Sequence, residues 1–204
     1  MTTEQGYQYK SRRNCVRRIQ AGDGFIVQKQ YQDETSCRNE LRIYNLLQGT
    51  PLACAEVLRA EDLQICMTRL PGKNLVDILE DQEQSGIIQW TIWKKLVDWL
   101  LSFHQTTGLV MTDVNLRNFL YASETDTLYG VDFEECGEGN FVSVAALLAA
   151  YIRNYAPQNT PVKQKIAGYI LQEFSCRLHV PVEKLLFETE KQETLLLKRR
   201  KNRI

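Results

Sequence analysis

Apolar positions change their spacing once along this chain. Over the first third they fall in short runs at 7–10, 15–20, 25–31, 55–59 and 63–69, several alternating with polar residues as a half-buried strand does. Ala21-Gly22-Asp23-Gly24 predicts a tight turn between the second and third runs. Cys37, Leu41, Tyr44 and Leu47 then recur at helical spacing, with Ser36 as the expected cap and Gly49 and Pro51 as the stop. After Leu70-Pro71-Gly72 helical periods take over. Asn74 is placed to cap a short helix, and Trp93, Leu96, Val97 and Leu100 mark a long one over 90–105. Two short strands, 119–121 and 128–131, flank the polar turn Ser123-Glu124-Thr125-Asp126. Helices follow over 141–154, 162–178 and 182–197, punctuated by Pro157, Pro161 and Pro181. The pattern predicts an α+β chain: a small mixed lobe over 1–72 and a mostly helical one over 73–204.

The same pattern picks out two charges in apolar company. In the run 25–31, Lys29 shares a face with Phe25, Val27 and Tyr31, where an unpaired ammonium costs several kcal/mol. Glu40 lies inside the apolar stripe of the next helix, at helical spacing from Cys37, Leu41 and Tyr44. Each is the other's natural partner. A strand register shifted by one residue would instead leave Lys29 on the surface and Glu40 at the edge of its stripe.

Composition changes little in this picture. The 204 residues are 44% hydrophobic, and 25 basic residues balance 25 acidic ones, so no net field draws the chain to nucleic acid or anionic membrane. No apolar run nears the ~20 residues of a membrane span and no signal core opens the chain, which predicts a cytoplasmic protein. Six cysteines, at 15, 37, 54, 66, 136 and 176, are widely spaced, as buried reduced thiols are, without a zinc-binding pair. Two local basic groups stand out: Lys10, Arg12, Arg13, Arg17 and Arg18 near the start, and the run Lys198-Arg199-Arg200-Lys201-Asn202-Arg203. The run reads first as a solvated tail, with contact to an anionic partner, RNA or lipid as the alternative.

Three oxygen-bearing residues carry the candidate chemistry. Asp113 and Asn118 lie five apart in a loop after the long helix, and Asp132 ends the apolar strand 128–131. Phosphoryl transfer needs such groups because it asks for positioning and charge neutralisation more than for covalent help. Glu134, Glu135 and Glu138 read as a solvated acidic loop, Glu134 being the best placed to extend a metal site. His104 reads as a core histidine bonded to a backbone carbonyl, His179 as a turn residue, and Trp90, Trp93 and Trp99 as packing.

Taken in order, the inward Lys29, the inward Glu40, the strand running into Pro71-Gly72, Asp113 with Asn118, and the strand ending at Asp132 resemble the protein-kinase-like superfamily. The likeness covers residues from about 7 to 155 and is nearest to its short atypical members: RIO-type and KEOPS-associated kinases, lipopolysaccharide-core sugar kinases, and aminoglycoside or choline phosphotransferases. The resemblance implies ATP and magnesium as cofactors and a hydroxyl acceptor. Lys29 would bind phosphate and Glu40 would hold it. Met67 would be the gatekeeper, and the backbone of Thr68, Arg69 and Leu70 would meet adenine. Asp113 would orient the acceptor hydroxyl, and Asn118 and Asp132 would hold magnesium.

The chain departs from the family pattern at several points. Met111 and Thr112 replace the His-Gly or His-Arg that usually precedes the catalytic Asp, and the phosphate-covering turn, Lys10-Ser11-Arg12-Arg13-Asn14, lacks glycine. Arg12 or Arg13 is placed to supply charge there. Asn115 stands where protein Ser/Thr kinases have Lys, and no long activation segment fits between Asp132 and the helix at Phe141. The last two points favour a RIO-like or small-molecule kinase, whereas the missing His-Gly and the glycine-free turn weaken the case for turnover. A pseudokinase, binding nucleotide without turnover, is the alternative, and a basic nucleic-acid binder a third.

Overall fold

The computed structural model describes residues 7–9, 11 and 13–201, with side chains as far as 198. Lys10, Arg12 and the side chains of the basic run beyond Lys198 lie outside the described residues.

The first part of the chain is a sheet with one helix against it. Strands β1 (Gln8–Tyr9), β2 (Cys15–Ala21), β3 (Gly24–Gln30), β4 (Val57–Glu61) and β5 (Gln64–Thr68) form an antiparallel sheet in the order β1-β2-β3-β5-β4. Gly22, at φ 59°, makes the hairpin between β2 and β3 through a backbone conformation that side chains disfavour. Helix α1 (Glu34–Leu47) follows β3 and buries Cys37, Glu40, Ile43, Tyr44 and Leu47. Its cap is Asp33 rather than Ser36: the Asp33 carboxylate accepts from the Ser36 N–H, so the helix starts three residues earlier than the apolar stripe suggests. An acidic residue at that place also suits the positive end of the helix.

The second part is mostly helical. Strand β6 (Lys73–Asn74) leads into α2 (Leu75–Ser85), capped by Asn74 as the sequence predicts. Helix α3 (Trp90–Thr107) carries Trp93, Leu96, Val97, Leu100 and Phe103 into the core. Then come β7 (Val110–Met111), a 3-10 turn (Leu116–Asn118), β8 (Phe119–Ala122), β9 (Thr127–Gly130) and β10 (Cys136–Gly137). Helices α4 (Phe141–Asn154), α5 (Pro161–Leu178) and α6 (Val182–Lys201) complete the chain. Strands β6, β8 and β9 form one small sheet, and β7 pairs with β10. The two-residue strands β6, β7 and β10 are too short for any periodicity to announce.

Gly72 joins the two halves at φ 102°, and a Cβ there would lie 2.5 Å from the Tyr121 carbonyl oxygen. The Pro-Gly signal therefore marks a place where backbone meets backbone.

Other expectations need correcting. Cys37, Cys66 and Cys136 are buried free thiols, but Cys15 and Cys54 are half-buried and Cys176 is exposed. Trp93 and Trp99 are core residues, whereas Trp90 is 42% exposed and leans on Tyr169, because it sits at the first turn of α3. Among the described residues no helix is long and apolar enough to cross a membrane.

Candidate functional site

Three carboxylates from both halves of the chain meet at Lys29. Strand β3 is flanked by β2 and β5, with Val16 and Ile65 opposite Lys29, so the ammonium is delivered into the space between sheet and helix. Lys29 is 5% exposed. Its Nζ stands 2.6 Å from Glu40 Oε2, 2.5 Å from Asp132 Oδ1 and 3.3 Å from Glu134 Oε2. Burial works against the ammonium, but Glu40, Asp132 and Glu134 together outweigh it and raise its pKa above the usual lysine value, so it stays charged. Glu40 is more deeply buried, at 1%. Burial pushes its carboxyl up from the ordinary range, Asp132 adds to the push, and Lys29 opposes it. Both Glu40 oxygens are used: Oε2 also accepts from the Tyr31 hydroxyl at 2.7 Å, and Oε1 from the Phe133 N–H at 3.2 Å. A buried charge pair needs such complete satisfaction.

Asp132 reaches the lysine from the other half of the chain. It has φ 64°, the left-handed region that aspartate tolerates better than bulky residues, and its side chain is 43% exposed. The turn brings the Asp132 carboxylate to Lys29 while Phe133 is packed into the core. Phe133 is fully buried, edge-on to Tyr44 at 5.1 Å and stacked with Trp99 and Phe103. Burial of Phe133 thus anchors Asp132.

The β8–β9 pairing continues into a bond from the Val131 N–H to the Asn118 carbonyl at 2.9 Å, one residue before Asp132, and Asp113 is close enough to Asp132 for the two charges to interact. The Asn118 amide nitrogen donates to the Asp113 backbone carbonyl at 2.9 Å, which leaves its oxygen as the atom to offer a cation. Asp113 Oδ1 accepts from the Tyr151 hydroxyl of α4 at 3.1 Å. Burial raises the Asp113 pKa above the ordinary carboxylate value, Glu135 and Asp132 add to it, and the Tyr151 and Asn118 hydrogen bonds pull the other way. A neighbouring phenol, Tyr155, donates to Asn115 Oδ1 at 2.6 Å and accepts from the Leu116 N–H at 3.2 Å. These tyrosines were not singled out in the sequence. Their signal is an i, i+4 pair of polar-tipped aromatics at the end of α4, with Tyr155 as its C-cap.

Met67, at 6% exposure, is flanked by Val27 and Val57 on the inner row of the sheet, and its sulfur accepts from the Tyr44 hydroxyl at 3.4 Å. Thr68 is partly committed: its N–H donates to the Glu56 carbonyl and its hydroxyl accepts from the Glu56 N–H, each at 2.9 Å. Leu70 follows, half-buried against the core.

The acidic loop differs most from expectation. Glu134 is not solvated: its side chain is 10% exposed and bonds Lys29 and the Asn14 amide. Glu135 pairs with Arg13 at 2.6 Å, while Glu138 is exposed. Glu40, Asp132 and Glu134 each offer an oxygen within 4.8 Å of the others. His104 behaves as read, its Nδ1 donating to the Leu109 carbonyl at 3.0 Å, and His179 ends α5 in a left-handed turn. Arg18 of the N-terminal basic group is used internally, over the rings of Tyr7 and Phe25.

No family model and no curated protein matches this chain. Among solved structures it is similar to WbdD in complex with a kinase inhibitor, at 17% identity and TM-score 0.59 over 93% of this chain and 45% of that one. It is also similar to the Rio2 kinase of Chaetomium thermophilum in complex with ADP, magnesium and phosphoaspartate, at 12% identity and TM-score 0.53 over 90% of this chain and 60% of that one. The chain spans about half the length of these two structures. The fold is the two-lobed protein-kinase-like fold.

Proposed function

We propose that this chain is an atypical kinase that transfers the γ-phosphoryl group of ATP to a hydroxyl, with magnesium as cofactor. One observation carries the reading: the buried Lys29 ammonium from the sheet and the Asp132 carboxylate from the other half meet at 2.5 Å, while Glu40 fixes the lysine from behind. A cation and a half-exposed anion converging in a cleft are the parts needed to hold a metal–triphosphate pair.

The donor chemistry fits the metal. Asp132 offers a carboxylate oxygen and Asn118 an amide oxygen, the hard ligands that magnesium prefers. Magnesium held there would supply positive charge to neutralise the phosphates. The remaining work falls to side chains of this chain. Lys29 binds a phosphate oxygen, Glu40 and Tyr31 keep its amine aimed, and the hinge at Thr68 and Leu70 meets the base beneath Met67. Asp113 accepts the hydrogen bond of the acceptor hydroxyl and orients it for in-line attack, while Tyr151 holds the carboxylate in place. The proton can leave late in a loose transition state, so Asp113 need not be a strong base.

A second reading, nucleotide binding without turnover, draws on the catalytic loop. Thr112, where relatives carry Gly or Arg, spends its hydroxyl on the Glu135 carbonyl. Thermal-shift titration with ATP and magnesium, followed by measurement of ATP turnover, separates the readings. Binding with turnover that Asp113→Asn abolishes supports the kinase; binding without turnover supports the scaffold. Absence of any ATP-dependent shift refutes both.

A further inference from the structure

Arg13 and Asn14, the two residues before β2, bond across to the other half of the chain. Arg13 Nη1 stands 2.6 Å from Glu135 Oε1, and Asn14 Nδ2 donates to Glu134 Oε2. Glu134 is at the same time 3.3 Å from Lys29 Nζ. Three nitrogen donors therefore converge on two carboxylates of one loop, at the mouth of the space where Lys29 meets Asp132. Guanidinium, ammonium and amide N–H donors in that arrangement suit phosphate oxygens as well as they suit carboxylate oxygens.

The two anions are attached to a loop whose backbone is pinned. Asn39 Nδ2 donates to the carbonyls of Glu134 and Cys136 at 2.9 and 2.8 Å, Thr112 donates to that of Glu135, and β10 pairs with β7. The donors are held as well: Asn14 is 9% exposed, and its Oδ1 accepts from the Gln32 N–H at 3.3 Å. What is free to exchange is the partner. The Arg13–Glu135 pair is exposed on both sides, 64% and 44%, and such pairs hold weakly. Glu134 and Glu135 thus have the place and the chemistry of built-in stand-ins for phosphate.

We propose that Arg13 and Asn14 bind the polyphosphate of a nucleotide through their side chains, in place of glycine backbone amides, and that Glu134 and Glu135 are the anions they release to do so. This rests on the nucleotide reading of the same cleft. It assigns the glutamates a sign opposite to that of metal ligands: removing one frees a donor and tightens binding.

The test is calorimetric titration of the intact protein with ATP plus magnesium, with inorganic tripolyphosphate and with adenosine. Glu135→Gln tightens ATP and tripolyphosphate about twofold to fivefold, the span of an exposed ion pair, whereas Glu138→Gln on the same loop, a control for overall charge, changes neither. Arg13→Ala weakens both ligands roughly fivefold or more without affecting adenosine. In the Arg13→Ala background Glu135→Gln has no further effect, since its partner is gone. Equal effects of Glu135→Gln and Glu138→Gln, or unchanged tripolyphosphate binding in Arg13→Ala, overturn the proposal. So does magnesium-dependent weakening in Glu134→Gln, which would make that carboxylate a metal ligand. If ATP binding is lost in Lys29→Met but untouched in Arg13→Ala, the side-chain clamp falls and the nucleotide reading stands. If neither wild type nor any variant binds ATP or tripolyphosphate, both fall.

Discussion

The Tyr151 hydroxyl donates to Asp113 Oδ1 at 3.1 Å across 38 residues of sequence. That bond aims a half-buried carboxylate which burial alone would leave poorly solvated. Tyr151→Phe removes it while keeping the ring. Turnover of ATP is expected to fall roughly tenfold, the cost of losing one hydrogen bond to a charged group, with nucleotide affinity unchanged. Steady-state kinetics beside a binding titration check this. A loss of affinity with normal turnover contradicts it.

Asp113→Asn and Asp132→Asn are expected to abolish turnover with the fold intact. At Asp132 the reason is specific: the residue sits at φ 64°, and asparagine accepts that backbone region as readily as aspartate. Circular dichroism and melting temperature should match wild type. Retained turnover in either variant removes the corresponding role.

Lys29→Met leaves Glu40 buried beside a thioether, with the carboxylate already pushed toward protonation. Uncompensated burial of this kind costs up to about 3–5 kcal/mol. Stability by urea unfolding should drop, and the double variant Lys29→Met with Glu40→Gln should recover much of the loss, because the orphan charge is gone. ATP binding should remain lost in both.

The cap of α1 gives a pH test. Hydrogen bonds from the Ser36 backbone and hydroxyl hold Asp33 below its usual pKa. A depressed carboxylate contributes stability above its unfolded pKa, about 3.9, and loses it as pH falls through the lower folded value. Asp33→Asn keeps a capping oxygen but does not titrate. The melting temperatures of wild type and Asp33→Asn should therefore differ at neutral pH and converge in acid. A gap that persists in acid counts against the assignment.

Gly72→Ala places a methyl 2.5 Å from the Tyr121 carbonyl oxygen at a φ of 102°. Something in the junction between the two halves must move. Destabilisation of roughly 1–3 kcal/mol is expected from the backbone conformation alone, measurable by chemical denaturation. Nucleotide affinity should fall as well if Leu70, two positions away, meets the base as proposed.

Much of this could be read from the residues themselves. Alternation in 25–31 set the inward face of β3, and helical spacing placed Glu40 inside the stripe of α1, so the 2.6 Å contact between Lys29 and Glu40 follows from two local periods and the cost of burying charge unpaired. The order of Asp113, Asn118 and Asp132 likewise sits at strand ends that the apolar pattern marks. The tertiary structure alone joined Asn14 to Glu134, Arg13 to Glu135 and Tyr151 to Asp113. It alone paired β7 with β10, strands of two residues each, and turned Glu134 from solvent toward Lys29. The physical reason is one of range. Periodicity records which side of an element avoids water, a property each segment carries by itself. Which polar tips then meet depends on how segments distant in sequence are stacked, and a hydrogen bond at that distance leaves no spacing behind.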